Sequence, residues 1–355
     1  VEATLDFMAR IVAETGQRKV KVTFHGGEPL VAGHTLWRQA LEGLAARFGP
    51  GGYKVALQSN LWLLDDEFSE MFRQHKVEIG TSLDGPEHLT NQQRGPGYFA
   101  RTMSGIRKAQ NHGMTVGCIA TFTPLTLPHW REVFDFFLNE RLGFSIHAAV
   151  PPLNGSRRGN EAEMFLTPQQ YGVLLRQMLD YCIAHRRELA VSSLDQMCQG
   201  LGCGEGKVCT FRNCFGMFLA IDPNGDIYPC QRFAGRPHYR LGTLAEQPTL
   251  DRLFTSPVDQ RLATRQQTVS ETCRDCSHLE YCQGGCPYNA WAAASVSHHS
   301  SLIIPQLIPT APPTGKSSIT SSNASLLRWR PRRTSTPSPS APTPAPVTHC
   351  SAKGR

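Results

Sequence analysis

No run of apolar residues in this chain approaches the roughly 20 needed to cross a bilayer, and no charged-then-apolar leader precedes the first helical pattern. A membrane partner is therefore not expected, and the chain reads as cytoplasmic. Acidic residues are absent from Ser297 onward, where seven basic residues stand alone: Lys316, Arg328, Arg330, Arg332, Arg333, Lys353 and Arg355. The formal net charge of +7 thus belongs to the tail, and residues 1 to 296 balance at zero. That placement excludes the concentrated basic face that nucleic-acid binding requires. The tail also lacks any hydrophobic period and is dominated by Ser, Thr and Pro, as in the run from Thr334 to Pro346. Its composition fits a disordered stalk, but its abrupt onset near Ser297 fits an out-of-frame translation better. An initiating Met is missing too. Val1 already lies in an amphipathic pattern with Leu5, Met8, Ile11 and Val12, so the chain is expected to begin within a longer protein.

Hydrophobic residues make up 40% of the 355, enough for one large domain and a smaller one. Over residues 1 to 160, short β-branched runs alternate with amphipathic stretches. The strand candidates are Lys19 to Phe24, Tyr53 to Gln58, Val77 to Ser82, Thr115 to Thr121 and Phe144 to Val150. Helical patterns fill Thr35 to Phe48, Asp66 to His75, Phe99 to His112 and Leu127 to Arg141. Such alternation predicts an α/β fold with a parallel sheet and right-handed crossovers. With one further strand before Val1 the sheet becomes a partial (β/α)6 barrel. An irregular link, Pro151 to Gly159, leads into a helical linker over 161–197 whose helix opens at Thr167-Pro168.

Ligand sites in parallel sheets lie at the carboxyl ends of the strands. The first three candidate strands end in His25-Gly26-Gly27-Glu28-Pro29, Gln58-Ser59-Asn60 and Ser82-Leu83-Asp84-Gly85. Any one of these is an ordinary turn, but three together at one end of a sheet point to a site.

Cysteine is distributed unevenly. Only Cys118 and Cys182 precede residue 198, whereas Cys198, Cys203, Cys209, Cys214, Cys230, Cys273, Cys276, Cys282 and Cys286 crowd into residues 198–296, and Cys350 lies in the tail. Nothing points to an oxidising compartment, so clustered thiols indicate metal rather than disulfides. Cys273 to Cys286 spell C-x2-C-x5-C-x3-C. A zinc ribbon needs only four thiolates and often uses C-x2-C. The surplus of thiols and the lack of a matching second C-x2-C favour iron-sulfur. Between the two groups of cysteines, Phe218 to Ile221 and Asp226 to Tyr228 flank Asn224-Gly225 as a hairpin.

The Gly26-Gly27-Glu28-Pro29 strand end, Ser82-Leu83-Asp84-Gly85, and the series Cys214, Gly225, Cys230, then C-x2-C-x5-C-x3-C resemble the radical S-adenosylmethionine (SAM) enzymes with a C-terminal SPASM iron-sulfur domain. That group includes the anaerobic sulfatase-maturating enzymes, and the similarity covers residues 1 to 296. The resemblance implies that Gly26, Gly27 and Glu28 hold the SAM amino group. It implies further that Ser59, Asn60, Ser82 and Asp84 line its ribose and carboxylate side, and that Arg94 pairs with the carboxylate. It gives one auxiliary 4Fe-4S cluster to Cys209, Cys214, Cys230 and Cys286, with Cys203 as a substitute for Cys209. A second cluster takes Cys273, Cys276 and Cys282, its fourth ligand missing because only Cys350 follows. The family's first cluster sits in a C-x3-C-x2-C loop, and no such triplet exists in this sequence. In the family, one electron from that cluster cleaves SAM to methionine and a 5'-deoxyadenosyl radical, which abstracts hydrogen from a substrate carbon.

The function so implied is modification of a ribosomal peptide or protein, with an electron donor such as a flavodoxin or ferredoxin, and with this chain an inactive fragment. Two alternatives remain: formylglycine formation on a sulfatase, and a non-catalytic metal-binding scaffold. In sulfatase-maturating relatives an Asp, the base, follows the Cys of Tyr-Pro-Cys. Here the sequence reads Tyr228-Pro229-Cys230-Gln231-Arg232, and a neutral amide cannot accept a proton. Asp226 or Glu205 are the carboxylates left to serve, and the catalytic residue is otherwise unknown.

Overall fold

Five short strands, each separated from the next by helix, form a parallel sheet in the order β1-β2-β3-β4-β5. They are β1 (Val20–Phe24), β2 (Tyr53–Gln58), β3 (Glu78–Ser82), β4 (Val116–Phe122) and β5 (Phe144–Ala148). The computed structural model describes residues 1–151, 164–185, 189–212, 214 and 216–296. The expectations for the tail, for Cys350 and for most of the 151–159 link fall outside them.

The sheet curls into a half-barrel because its two faces differ. Along β4, Val116, Cys118, Ala120 and Phe122 are buried against helices, while Gly117, Ile119 and Thr121 face the concave side. The outer layer consists of α2 (Gly33–Phe48), α3 (Asp66–Gln74), α5 (Tyr98–Asn111) and α6 (Trp130–Glu140), following α1 (Glu2–Thr15). Trp37, Leu41, Phe72, Ile106, Phe134 and Phe137 from these helices are all essentially fully buried with Phe144 and Leu57. Burying each such side chain contributes about 1.5–3 kcal/mol before entropy is counted.

The expected strands and helices are present within a residue or two. The helix expected over Leu127 to Arg141 opens instead as a 3-10 turn, Leu127–His129. Several helices went unforeseen, among them α4 (Glu87–Arg94), whose eight residues are almost all polar, so that no apolar stripe announced it. Helix α7 (Pro168–Ala184) begins with a complete capping box between Thr167 and Gln170. It and α8 (Ser192–Cys203) belong to the barrel's packing, since Leu174, Met178, Val191 and Leu194 join the same core. Val191 also makes a parallel bridge to Phe144 at the edge of β5.

Beyond α8, an antiparallel sheet of β6 (Ala220–Ile221), β7 (Asp226–Tyr228) and β8 (Gly242–Thr243) forms around the expected Asn224-Gly225 turn. Helices α9 (Leu250–Leu253), α10 (Pro257–Thr272), α11 (Leu279–Cys282) and α12 (Pro287–Val296) follow. Helix α1 serves both parts. Leu5 enters the barrel core, while Phe7 and Ile11 pack with Ile227, Leu241 and Leu253. Arg10 Nη2 donates to Pro248 O at 3.1 Å, and Glu14 Oε2 accepts from Leu250 N at 3.3 Å.

Candidate functional site

At the carboxyl end of the half-barrel, buried carboxylates tie one strand tip to the next. Gly26 turns the chain after β1 with φ 138°, a conformation that side-chain-bearing residues rarely adopt. Two residues on, the Glu28 carboxylate accepts three hydrogen bonds. Oε1 receives Ser59 Oγ at 2.6 Å and Leu30 N at 3.0 Å, and Oε2 receives Asn60 N at 2.9 Å. Glu28 thereby joins the end of β1 to the end of β2. Gln58 Nε2 donates to Ser82 Oγ at 3.3 Å, joining β2 to β3. Asp84, with its side chain wholly covered, accepts Thr121 N at 2.9 Å and joins β3 to β4.

The Asp84 carboxylate also receives Arg94 through Nε at 2.5 Å and Nη2 at 2.9 Å, and Gln93 Nε2 at 2.6 Å. Two residues singled out from the sequence for one ligand are thus bound to each other. Asp84 presents no open surface and acts by aiming Arg94, whose guanidinium also lies 5.2 Å from the Tyr98 ring centroid. Gln93 and Thr121 gave no sequence signal, because their roles depend on which strand lies next to which.

The cysteines converge in two groups. Cys209, in a 3-10 turn, and Cys214 hydrogen-bond through their thiols, and Cys230 and Cys286 lie within electrostatic reach of them. The Cys214 hydrogen bond holds the Cys209 thiol below its ordinary pKa, with help from Arg232 and Arg212, and leaves Cys214 raised. Burial pushes Cys230 up to about 11 despite N–H donation from Arg232 and Phe233. Cys203, the last residue of α8, is exposed.

The second group is Cys273, Cys276 and Cys282: Cys276 and Cys282 act on Cys273, and Cys276 acts on Cys282. Cys282 and Cys286 are only four residues apart yet serve different groups. Gln283, Gly284 and Gly285 between them all have positive φ, 48°, 79° and 66°, which reverses the chain. The N–H groups of Gly284 and Gly285 point back at the Cys282 sulfur. A Cβ on Gly284 would lie 2.3 Å from Val269 Cγ1, so only glycine fits there.

This chemistry suits a multivalent cation. Thiolates crowded together repel one another, so each group ionises fully only when a metal neutralises it. Among the described residues no set of three or more Cys, His, Asp or Glu closes around a single ion.

Residues 1–137 match the model of the radical SAM superfamily, and residues 209–277 match that of the SPASM iron-sulfur cluster-binding domain. The chain carries a radical SAM domain followed by a SPASM domain. SAM and 4Fe-4S clusters are the cofactors these domains carry. The chain is 40% identical over 173 residues to a protein of unassigned function from Methanothermobacter thermautotrophicus, covering 49% of this chain and 65% of that one. It is 24% identical over 293 residues to the serine-type anaerobic sulfatase-maturating enzyme of Bacteroides thetaiotaomicron, covering 77% and 70%. The solved structure of native anSMEcpe with bound AdoMet and Cp18Cys peptide superposes with a TM-score of 0.72 at 19% identity, over 82% of each chain. The fold expected from sequence is thereby confirmed. Among the described residues no helix is long and apolar enough to cross a membrane.

One further residue at the barrel rim was invisible in the sequence. His147, near the end of β5, lies on the face opposite buried Phe144 and Ile146. Desolvation, and then the charge of Arg232, lower its pKa, although the residue keeps open surface. Arg232 acts on His147 and on Cys209 alike, which sets the first thiol group beside the barrel's last strand.

Proposed function

We propose that this protein modifies a ribosomal peptide or a protein by abstracting hydrogen from a substrate carbon. The observation that carries this reading is the meeting of the four-thiol group with the barrel rim at Arg232 and His147. An auxiliary cluster there borders the space in which a substrate faces SAM. Support for a peptide substrate comes from the likeness to sulfatase-maturating enzymes and to a structure holding a peptide.

In this reading Gly26, Gly27, Glu28, Ser59, Asn60, Ser82 and Arg94 form the SAM rim, with the covered Asp84 behind Arg94. A carboxylate has about four lone-pair sites, and three of those on Glu28 are already filled, leaving one for the SAM ammonium. Arg94 commits Nε and Nη2 to Asp84 and keeps Nη1 for the SAM carboxylate. Cys209, Cys214, Cys230 and Cys286 hold one auxiliary cluster, and Cys273, Cys276 and Cys282 hold a second. When bound with its reduced cluster, SAM supplies the radical that removes the hydrogen.

The substrate differs from a sulfatase in this reading. Gln231 is exposed and cannot accept a proton. The carboxylates that could replace it are engaged. Asp226 pairs with Arg240 at 3.2 Å, and Glu205 pairs with Lys207 at 2.6 Å and Arg212 at 3.7 Å. A flavodoxin or ferredoxin is the electron donor.

The test has two arms, both run anaerobically with iron, sulfide, SAM and strong reductant. The present chain, without the C-x3-C-x2-C triplet, is expected to form no 5'-deoxyadenosine. A chain extended before Val1 by that triplet's loop is expected to form it while leaving a sulfatase-motif peptide unchanged in mass. Conversion of the peptide's Cys or Ser to the aldehyde would establish the maturase reading instead.

A further inference from the structure

Arg265 lies where the two thiol groups meet. It sits on α10 two turns before Cys273 and is only 8% exposed. Its Nη2 donates to Gly284 O at 2.6 Å, in the left-handed loop that separates Cys282 from Cys286. Its Nε is buried without a partner. The thiols of Cys286 and Cys214 from the first group and of Cys282 and Cys273 from the second act on it, and among the described residues no ion pair joins it to a carboxylate. Asp259, earlier on the same helix, leaves its own Oδ1 unpaired and is not the missing counter-ion.

A buried guanidinium without an acidic partner is costly to the fold. Arginine keeps its charge even so, and burial weakens the screening of that charge by water. Compensation comes once the surrounding thiols ionise on a metal, because each group then becomes a net anion facing the same cation.

We propose that Arg265 is a charge bridge between the two auxiliary clusters, a positioning residue whose buried cation offsets the thiolate charge of both and raises both reduction potentials. The inference rests on the assignment of the two thiol groups to iron-sulfur clusters. Reduction of each cluster takes one electron from an external donor and moves no proton. A fixed positive charge favours the reduced form, which carries the extra negative charge, over the oxidised one. Because one guanidinium faces both groups, its effect falls on both, and reducing one cluster weakens the pull available to the other.

The experiment uses the full chain, reconstituted anaerobically with iron and sulfide and titrated with dithionite while electron paramagnetic resonance follows the reduced clusters. Arg265→Gln removes the charge and Arg265→Lys keeps it. We expect Arg265→Gln to make reduction of both clusters at least tenfold less favourable, about 59 mV for a one-electron couple, and Arg265→Lys to stay within twofold of the parent. A purely structural role would lower iron content without moving the potential of the clusters that remain. Unmoved potentials in Arg265→Gln, or a shift in one cluster alone, would overturn the bridge while leaving the cluster assignment standing. Failure of the parent chain to bind iron would overturn both. If Arg265→Gln loses its iron, Arg265→Lys decides: parent-like potentials support the charge role, and potentials lowered as by a neutral residue refute it.

Discussion

Arg94 grips the Asp84 carboxylate with two prongs, Nε at 2.5 Å and Nη2 at 2.9 Å, while the same carboxylate takes the backbone N–H of Thr121 at 2.9 Å. Helix α4 is thereby fastened to the tips of β3 and β4. Removing one partner of a buried ion pair leaves the other desolvated without compensation. Asp84→Asn should therefore destabilise the protein by about 3–5 kcal/mol, read as a drop in the urea midpoint with the slope unchanged. It should also weaken SAM binding, because Arg94 is no longer aimed. Parent-like stability would show that the pair contributes little.

Glu28→Gln tests the neighbouring fastening. Both Glu28 oxygens accept hydrogen bonds, one of them from Asn60 N. A glutamine amide would set an N–H donor against one of those donors, at a cost of about 1–3 kcal/mol. Ser59→Ala removes only the hydroxyl bond and should cost less. Equal losses in the two variants, measured by chemical denaturation, would assign the whole effect to the Ser59 contact.

Asp259 gives a pH signature. Burial raises its carboxyl pKa from 3.8 to about 6. A carboxyl whose folded pKa lies above its unfolded pKa favours the fold while protonated, and that contribution is lost as pH rises through the folded value. Asp259→Asn should thus stabilise the protein by about 3 kcal/mol at pH 7–8 and have little effect below pH 4. Thermal melts across that range decide; a gain that is the same at every pH would mean the carboxyl does not titrate as described.

Cys230→Ala should lower iron per chain after anaerobic reconstitution, whereas Cys118→Ala should not. Cys118 is 2% exposed in β4, and burial alone pushes its thiol up to about 12, so it behaves as a small hydrophobe. Iron analysis beside a melting curve separates the outcomes. Loss of iron in Cys118→Ala without loss of fold would place a ligand in the barrel core.

The strands and most helices were legible because alternating burial writes itself into composition. Val116, Cys118, Ala120 and Phe122 face helices, and Gly117 and Thr121 between them do not. The division of the thiols between two clusters comes from the family resemblance, since spacing cannot say that Cys282 and Cys286 part company. That division depends on three consecutive left-handed residues. Helix α4, His147 and Arg265 were not legible at all. A polar helix carries no stripe, and a lone His or Arg acquires meaning only from what the fold brings beside it.

Helix α1 leaves the two parts of the molecule little independence. Its Leu5 is wedged in the barrel while Phe7, Arg10 and Glu14 hold the sulfur-rich part. Whatever steadies one end of that rod steadies the other. Filling the thiol sites should therefore raise the melting temperature of the barrel itself, so that heat undoes the loaded protein in one cooperative step.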